Sequence, residues 1–474
     1  MNEKYNKSTN LILFLLGLTC LNLSLIVFMF MTFSFNFNDS YLSHLILVMT
    51  FILLFIIWNV WFSDSYVDIV NLLLAVQFVF FGGNSILKLF NFDSKDHFTG
   101  YALTDNDYVI TNSIIILAIL FFVFGAAISK TKKGKIRIVT KKIVYSNDNL
   151  NISGLILLIV GMVSFLIDFD ISWFVSSYKG FGETTLFRLL WSVCLPTSGF
   201  VYATSNKRHN KIIGFIVLLF ISFLYILMGN RGYSISLFLT IVWLYDNQVK
   251  KISKVKLIFT SLLIIFIIGL FFQMKEFTIQ QKLSIFDNIK NIQLESVFLS
   301  LFEESSVTYR TLIYTIQSIP LEKGFDWGLS YLWAFTTIIP NIFGTSIHPS
   351  LLYYQNPSEW IAWTYSPIQA SLGYGFGFSN IGEAYFNFGL IGVIIVMFIF
   401  GFFIAKLSRS TNTNSLNQRY KIIITAILIS NIFWSIRNSL SSVVRDAFYQ
   451  YILLVIILVF IKMISKKKKK SRIN

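Results

Sequence analysis

The feature that most limits how this chain can fold is the recurrence of long apolar runs. A hydrocarbon core about 30 Å thick takes roughly 20 apolar residues in a helix. About twelve such runs recur, centred on 10–31, 42–62, 67–88, 109–128, 150–167, 186–204, 212–229, 233–246, 257–273, 385–405, 421–437 and 448–464. Each must be helical, because backbone groups in lipid have no water to bond. The third run, which ends in Gly82-Gly83-Asn84, and the short eighth run fit the pattern least well. Only 13% of residues are charged, against about 25% in soluble domains, too few to coat a water-facing surface. A soluble enzyme, a secreted disulfide scaffold and a disordered chain are thereby excluded. Cys20 and Cys194 both lie in apolar runs and form no framework of bridges or ligands.

The formal net charge of +16 could point to nucleic acid, but its distribution does not. With the N-terminus in the cytoplasm, most of the 39 basic residues fall on inner segments, dominated by Lys130 to Lys142 and the tail Lys466 to Lys470. That is the pattern of topology anchors against an anionic inner leaflet. The expected architecture is an all-α polytopic membrane protein. It has about twelve transmembrane helices in a single integral membrane domain over residues 1–474, with both termini cytoplasmic. The first run is long and lacks a small-residue cleavage site, so it reads as an uncleaved span. No convincing internal repeat relates the two halves.

A segment of over a hundred residues, 274–384, separates the ninth and tenth runs on the outer (periplasmic or extracellular) side. Its richness in Trp, Tyr, Phe, Leu and Ile marks it as ordered, and a loop of that length in a packed domain is commonly functional. The stretch 289–318 has helical character and stops before Pro320. Residues 331–343 are apolar, too short to span and broken by Pro340, which reads as an interfacial or re-entrant piece. Trp360, Trp363, Tyr365 and Tyr374 precede Gly375 and Gly377; such aromatics stack on sugar rings or populate a membrane interface.

Several charged residues stand at outer helix ends, where charge is costly and often functional. Arg231, in Gly229-Asn230-Arg231-Gly232, can snorkel or hold an oxyanion such as diphosphate at a tight turn. Arg437 and Arg445 recur at the outer ends of the eleventh and twelfth runs. Glu303 and Arg310 are seven residues apart on one helix face, with Tyr314 a turn further on; they form either an ion pair or a polar cavity lining. Glu383 enters the tenth run at its outer end, as a helix cap or as a base. Asp168-Phe169-Asp170 has a spacing that some sugar transferases use for metal or diphosphate. The four histidines show no ligand spacing, so no metal site is expected. No phosphate-binding glycine loop of the nucleotide-hydrolysing type is present.

Three stretches resemble the O-antigen and capsule repeat-unit polymerases, the Wzy-like oligosaccharide polymerases. They are Gly229-Asn230-Arg231-Gly232, the Arg310 helix running to Pro320 and Gly324, and Phe378-Ser379-Asn380-Ile381-Gly382-Glu383-Ala384-Tyr385-Phe386-Asn387-Phe388-Gly389-Leu390-Ile391-Gly392. The resemblance covers mainly residues 225–446. It implies a glycosyltransferase of the plasma (inner) membrane that works on its outer face, polymerising undecaprenyl-diphosphate-linked oligosaccharide units for O-antigen or capsular polysaccharide. Lipid-linked oligosaccharides, the bilayer and a chain-length regulator are the implied partners; no nucleic acid and no cofactor are called for. On that resemblance Glu383 is the expected general base with Glu303 second, and Arg231, Arg310, Arg437, Arg445 and Tyr314 are the expected substrate-binding residues. The arginines are expected to converge on one polar cavity near the outer leaflet. Two other classes share the layout. An O-antigen ligase differs in its acceptor, and the context of His348 does not match the histidine by which ligases are recognised. A lipid-linked oligosaccharide flippase would show related halves and needs no large ordered loop.

Overall fold

The computed structural model describes residues 40–92, 103–131, 147–170, 185–259, 294–341, 348, 355–371, 375–409 and 418–470, apart from single positions 64, 229, 254 and 258. Among the described residues the regular structure is helical throughout, and eight helices are long and apolar enough to cross a membrane. These are α1 (Ser40–Trp61), α2 (Ile69–Leu89), α3 (Asp105–Thr131), α4 (Asn147–Asp168), α5 (Leu186–Ala203), α6 (Arg208–Leu227) and, further along the chain, α12 (Asn380–Arg409) and α14 (Leu440–Lys470). They correspond to eight of the twelve expected runs. The first run, and all but a few residues of the ninth, lie outside the described residues.

The eighth and eleventh runs form helices of 18 residues, α7 (Arg231–Gln248) and α13 (Gln418–Ser435), that are less apolar than the rest. Their polarity has a packing reason. The two pack on each other, α7 also lies on α6, and α13 on α5 and α14. Ser234, Ser236 and Thr240 on α7, and Ser430 and Asn431 on α13, are buried. A helix surrounded by helices needs no lipid-compatible face, and its hydroxyls and amides find partners inside the bundle. α1 and α14 are the opposite case: Met49, Ile52, Ile56 and Val60 on α1, and Val459, Phe460 and Met463 on α14, are exposed. Such contiguous exposed apolar faces suit lipid, not water.

The bundle is centred on α3, whose closest partner is α12. Gly125 lies against the backbone of Phe398, and Gly401 against the backbone of Phe122, so that a Cβ at either position would collide with a main-chain carbonyl. Without a hydrophobic driving force between helices in lipid, such backbone-close contact supplies the dispersion energy that holds them. At one end of the bundle, Lys130 and Ser408 meet Asp68 at 3.2 and 2.6 Å, while Lys251 and Ser65 meet Asp246 at 2.7 and 3.0 Å. Arg419 bonds Asn151 at 2.7 Å nearby in the same layer of helix ends. This is the end that the positive-inside pattern places in the cytoplasm.

α2 continues through Gly82-Gly83-Asn84 by widening into a single π-turn at Phe78–Gly82, an irregularity often found at functional sites. The segment expected as the outer loop contributes α8 (Leu294–Ser318), α9 (Leu329–Thr336), α10 (Pro357–Tyr365) and α11 (Pro367–Ser371). α8 is no detached lid: it packs along α2, α3 and α12, with Tyr309 fully buried and its hydroxyl donating to Asn112 Oδ1 at 2.7 Å. α9 packs on α14, and α10 on α8. A Gly401→Leu substitution is expected to cost about 1–3 kcal/mol through overpacking. The measurement is the thermal midpoint of the detergent-purified protein, which should fall relative to an Ile399→Leu control on the exposed face of the same helix.

Candidate functional site

A short strap, residues 375–379, leads into α12 and lies between α8 and the Arg437 turn. Gly377 has φ +76°, a left-handed conformation that other residues adopt only with strain, and its Cα faces the Arg437 backbone. Phe378 N–H donates to the Arg437 carbonyl at 3.0 Å, and on the other side Thr311 Oγ1 lies 3.5 Å from the Phe376 carbonyl. Arg310, the neighbour of Thr311, is buried at 5% exposure. The Arg437 guanidinium sits 5.9 Å above the Phe80 ring, inside the π-turn on which α8 also packs. Arg437 thus lies between the strap and the π-turn, while α8, which carries Arg310, packs on the same π-turn. Arg231 heads α7; its side chain lies outside the described residues. Its neighbour Gly232 packs directly beneath the Trp434 indole, one turn before Arg437, where a Cβ would collide with the ring.

Glu383 is 2% exposed and sits in the first turn of α12. The cap of that helix is Ser379, whose Oγ accepts from Gly382 N at 2.9 Å. Glu383 serves a different helix end: Oε2 accepts from Leu440 N, at the start of α14, at 2.7 Å, and Oε1 accepts from Ser330 Oγ on α9 at 3.0 Å. Asn387 donates to Ser330 Oγ at 2.6 Å and accepts from Gly328 N at 2.9 Å. Two residues on, Gly389 breaks the helix with φ 61° and ψ −148°. The carbonyls of Phe386 and Asn387 before the break accept from Asp326 N and Trp327 N, at 3.2 and 3.0 Å. The Asn387-Phe388-Gly389 motif thus makes the seat for residues 326–328 and satisfies the groups freed by the kink. Next to Glu383, the Tyr331 hydroxyl holds its proton well above the usual pH, first through burial and second through the carboxylate.

A cavity of about 800 Å³ opens between α5, α7, α13, α14 and residues 333–341, 348 and 355–359. Arg445 lines it, together with Arg188, Asp446, Glu359, Asn230 and Trp434. Arg445 Nε bonds Asp446 at 2.8 Å. Arg188 Nε bonds Asp168 at 3.1 Å, and that carboxylate also accepts from Trp191 Nε1 at 2.9 Å and Thr185 Oγ1 at 2.6 Å. Asp168, half of the Asp168-Phe169-Asp170 motif, is thereby an internal partner of three wall residues. At the rim, withdrawal of the Glu359 carboxyl from water pushes it above the usual carboxylate range.

The structure separates the expected residues. Arg445 belongs to the cavity, Arg437 flanks the strap and Arg310 is buried on α8; neither of the last two is among the residues lining that cavity. Tyr314 is buried at 2% and stacks on Tyr365 with centroids 4.3 Å apart. Glu303 is exposed on the same helix as buried Arg310. Arg188, Asp446, Glu359, Ser330 and Asn387 escaped sequence reasoning. Arg188 carried a usable signal, an arginine at an outer helix end, and Asn387 stood within the quoted motif. Asp446 and Glu359 have no local pattern.

Together these features define a polytopic membrane protein with a polar cavity and an arginine-flanked strap at one end of its bundle. The chain matches the family model for O-antigen polysaccharide polymerase Wzy over residues 20–469 and belongs to that family. No curated protein and no solved structure matches it. The wall of the cavity is open to a direct test. Asp168→Ala strands Arg188 and the Trp191 N–H, and breaking a buried pair on one side should lower stability by about 3 kcal/mol. Thermal unfolding of the purified variant should show it, and a Leu166→Ala control on the exposed face of the same helix should not.

Proposed function

We propose that the protein is a glycosyltransferase of the outer face of the plasma membrane. It transfers a growing glycan from undecaprenyl diphosphate onto the non-reducing end of a lipid-linked repeat unit. Family membership over nearly the whole chain is the observation that carries this reading. The residue chemistry supports it. The donor bears its own activated bond, so no nucleotide is consumed. The acceptor hydroxyl oxygen bonds to the anomeric carbon as the bond from that carbon to the diphosphate oxygen breaks. The departing diphosphate gathers negative charge, which guanidinium groups hold better than ammonium groups through paired hydrogen bonds. Arg310 and Arg437 are proposed for this role, with Arg231 on the adjoining helix end.

The proton of the acceptor hydroxyl goes to a carboxylate. Glu383 is the proposed base, with the acceptor hydroxyl taking the place that Ser330 Oγ holds in the structure; Glu303 is second. A positioned base contributes on the order of 10²- to 10⁴-fold. In this reading the cytoplasm holds both termini, and the segment 274–384 lies outside.

Complementing a deletion strain at matched protein level tests the assignment by gel analysis of surface polysaccharide. Glu383→Gln should leave single repeats and little polymer. Arg437→Ala should slow polymerisation roughly a hundredfold, the equivalent of about 3 kcal/mol lost from the transition state. Long chains of normal length from Glu383→Gln would limit this residue to joining α9, α12 and α14. Long glycans accumulating on the lipid carrier in the deletion strain would indicate a ligase instead.

A further inference from the structure

α9 is built the reverse way from most helices that pack on a bundle. It turns Leu329, Leu332 and Phe335 outward, each more than half exposed, and buries Ser330 and Ala334. Apolar side chains normally form the buried face of such a helix; here the interior receives hydroxyl groups instead. Ser330 Oγ donates to Glu383 Oε1 at 3.0 Å and accepts from Asn387 Nδ2 at 2.6 Å. One hydroxyl that gives to a carboxylate and takes from an amide has the bonding pattern of a sugar hydroxyl in a binding site. The next residue, Tyr331, brings a second hydroxyl. Its ring leans on Phe388 of α12, with centroids 6.5 Å apart. The hydroxyl is buried, and no group of the protein stands at hydrogen-bond distance from it. Burial first, and the charge of Glu383 second, make it keep its proton, so it is a donor. Buried tyrosine hydroxyls ordinarily find a partner, and an unmatched one calls for an explanation.

We propose that Tyr331 is a substrate-binding residue, whose hydroxyl bonds the sugar hydroxyl next to the attacking one on the acceptor's terminal sugar. The proposal rests on the polymerase reading and on Glu383 as its base, and extends both. In that reading the attacking hydroxyl takes the place of Ser330 Oγ. Ser330 turns to another staggered position, which requires no movement of α9. The attacking oxygen passes its proton to Glu383 and gives an electron pair to the anomeric carbon of the donor, while the bond from that carbon to the diphosphate breaks. Tyr331 neither takes nor gives a proton. A donor on the attacking oxygen would tie up the electron pair that makes the new bond, so the neighbouring hydroxyl is the partner that helps the reaction. Held there, the sugar keeps its attacking oxygen on Glu383. A site built to bond a sugar hydroxyl discriminates against a sugar that lacks it, because the buried donor is then left unpaired. Tyr331 therefore selects acceptors whose terminal sugar carries hydroxyls on adjacent carbons.

The test compares Tyr331→Phe with Tyr309→Phe in the purified full chain, reconstituted in liposomes with lipid-linked repeat units. Tyr309 is the reference for a buried hydroxyl that has a partner, Asn112 Oδ1 at 2.7 Å. Tyr331→Phe removes one oxygen and keeps the ring. The KM for the repeat unit should rise about tenfold with kcat little changed, as expected of a contact made equally in the ground and transition states. The thermal midpoint should hold or rise, since an unmatched buried group has been removed. Tyr309→Phe should instead lower the midpoint by about 2 °C or more. Repeat units lacking the hydroxyl beside the attacking one should be used about tenfold less well by the unaltered protein, and no less well than ordinary units by Tyr331→Phe. An unchanged KM in Tyr331→Phe, or equal use of both kinds of unit by the unaltered protein, would overturn the proposal. So would a midpoint that falls as it does for Tyr309→Phe, which would mean that the hydroxyl is bonded within the fold, as by an ordered water. Failure of the polymerase reading looks different: the unaltered protein would then form no polymer from any repeat unit.

Discussion

A single carboxylate, placed where three segments meet, sets the geometry of the end of the bundle at which the proposed chemistry lies. Glu383 reaches from α12 to the first amide of α14 and to the hydroxyl of Ser330 on α9. A negative group at a helix N-terminus is favoured by the unpaired amides there, and in a buried setting the loss of either bond would leave an uncompensated polar group. Through these bonds the turn carrying Arg437, Asn438 and Ser441 keeps a fixed relation to the strap and to the helix that bears Ser330. The kink at Gly389 and the seat for Trp327 lie one turn further along the same helix. The motif from Phe378 to Gly392 is thus a folding device: a strap, a cap, a buried carboxylate, an amide bridge and a break.

The surrounding bundle divides its helices by environment. α1 and α14 present aliphatic side chains outward, where the lipid tails would lie, and α3 is enclosed on nearly all sides. α7 and α13 carry the hydroxyls and amides of the interior and back directly onto the cavity, to which they lend Tyr233 and Trp434. The polar lining therefore comes from helices that need not face lipid. That division allows a membrane protein to hold a water-compatible cavity without exposing its backbone to hydrocarbon.

Much of the fold was legible because lipid leaves few alternatives: eight of the expected runs return as apolar helices, and the helix before Pro320 ends at Ser318. The depth to which α8 packs into the bundle was not legible, since Tyr309, Thr311 and Thr315 have the composition of a surface helix; Tyr309 finds its partner only in three dimensions, at Asn112, and the threonine hydroxyls turn back onto carbonyls of their own helix. The candidate site was partly legible. Arg310, Arg437 and Glu383 stood out as charges at apolar boundaries, and the bond from Leu440 N to Glu383 ties the turn after Arg437 to α12. That Glu383 would serve the start of α14, rather than its own helix, depends on a contact 57 residues distant. The acid facing Arg188 was hidden for the same reason, whereas the one facing Arg445 adjoins it in sequence. Asp168 lies 20 residues from Arg188 in sequence and reads alone as a transferase-like motif, and Asp446 is an unremarked neighbour of Arg445.

The central claim is that the chain itself forms glycosidic bonds using only the energy stored in lipid-linked donors. It is tested most directly by reconstituting the purified protein in liposomes with undecaprenyl-diphosphate-linked repeat units and no nucleotide. The account predicts a ladder of longer lipid-linked glycans with release of one undecaprenyl diphosphate for each bond formed. Repeat units that stay single while crossing the bilayer would contradict it and identify the protein as a carrier of its substrate.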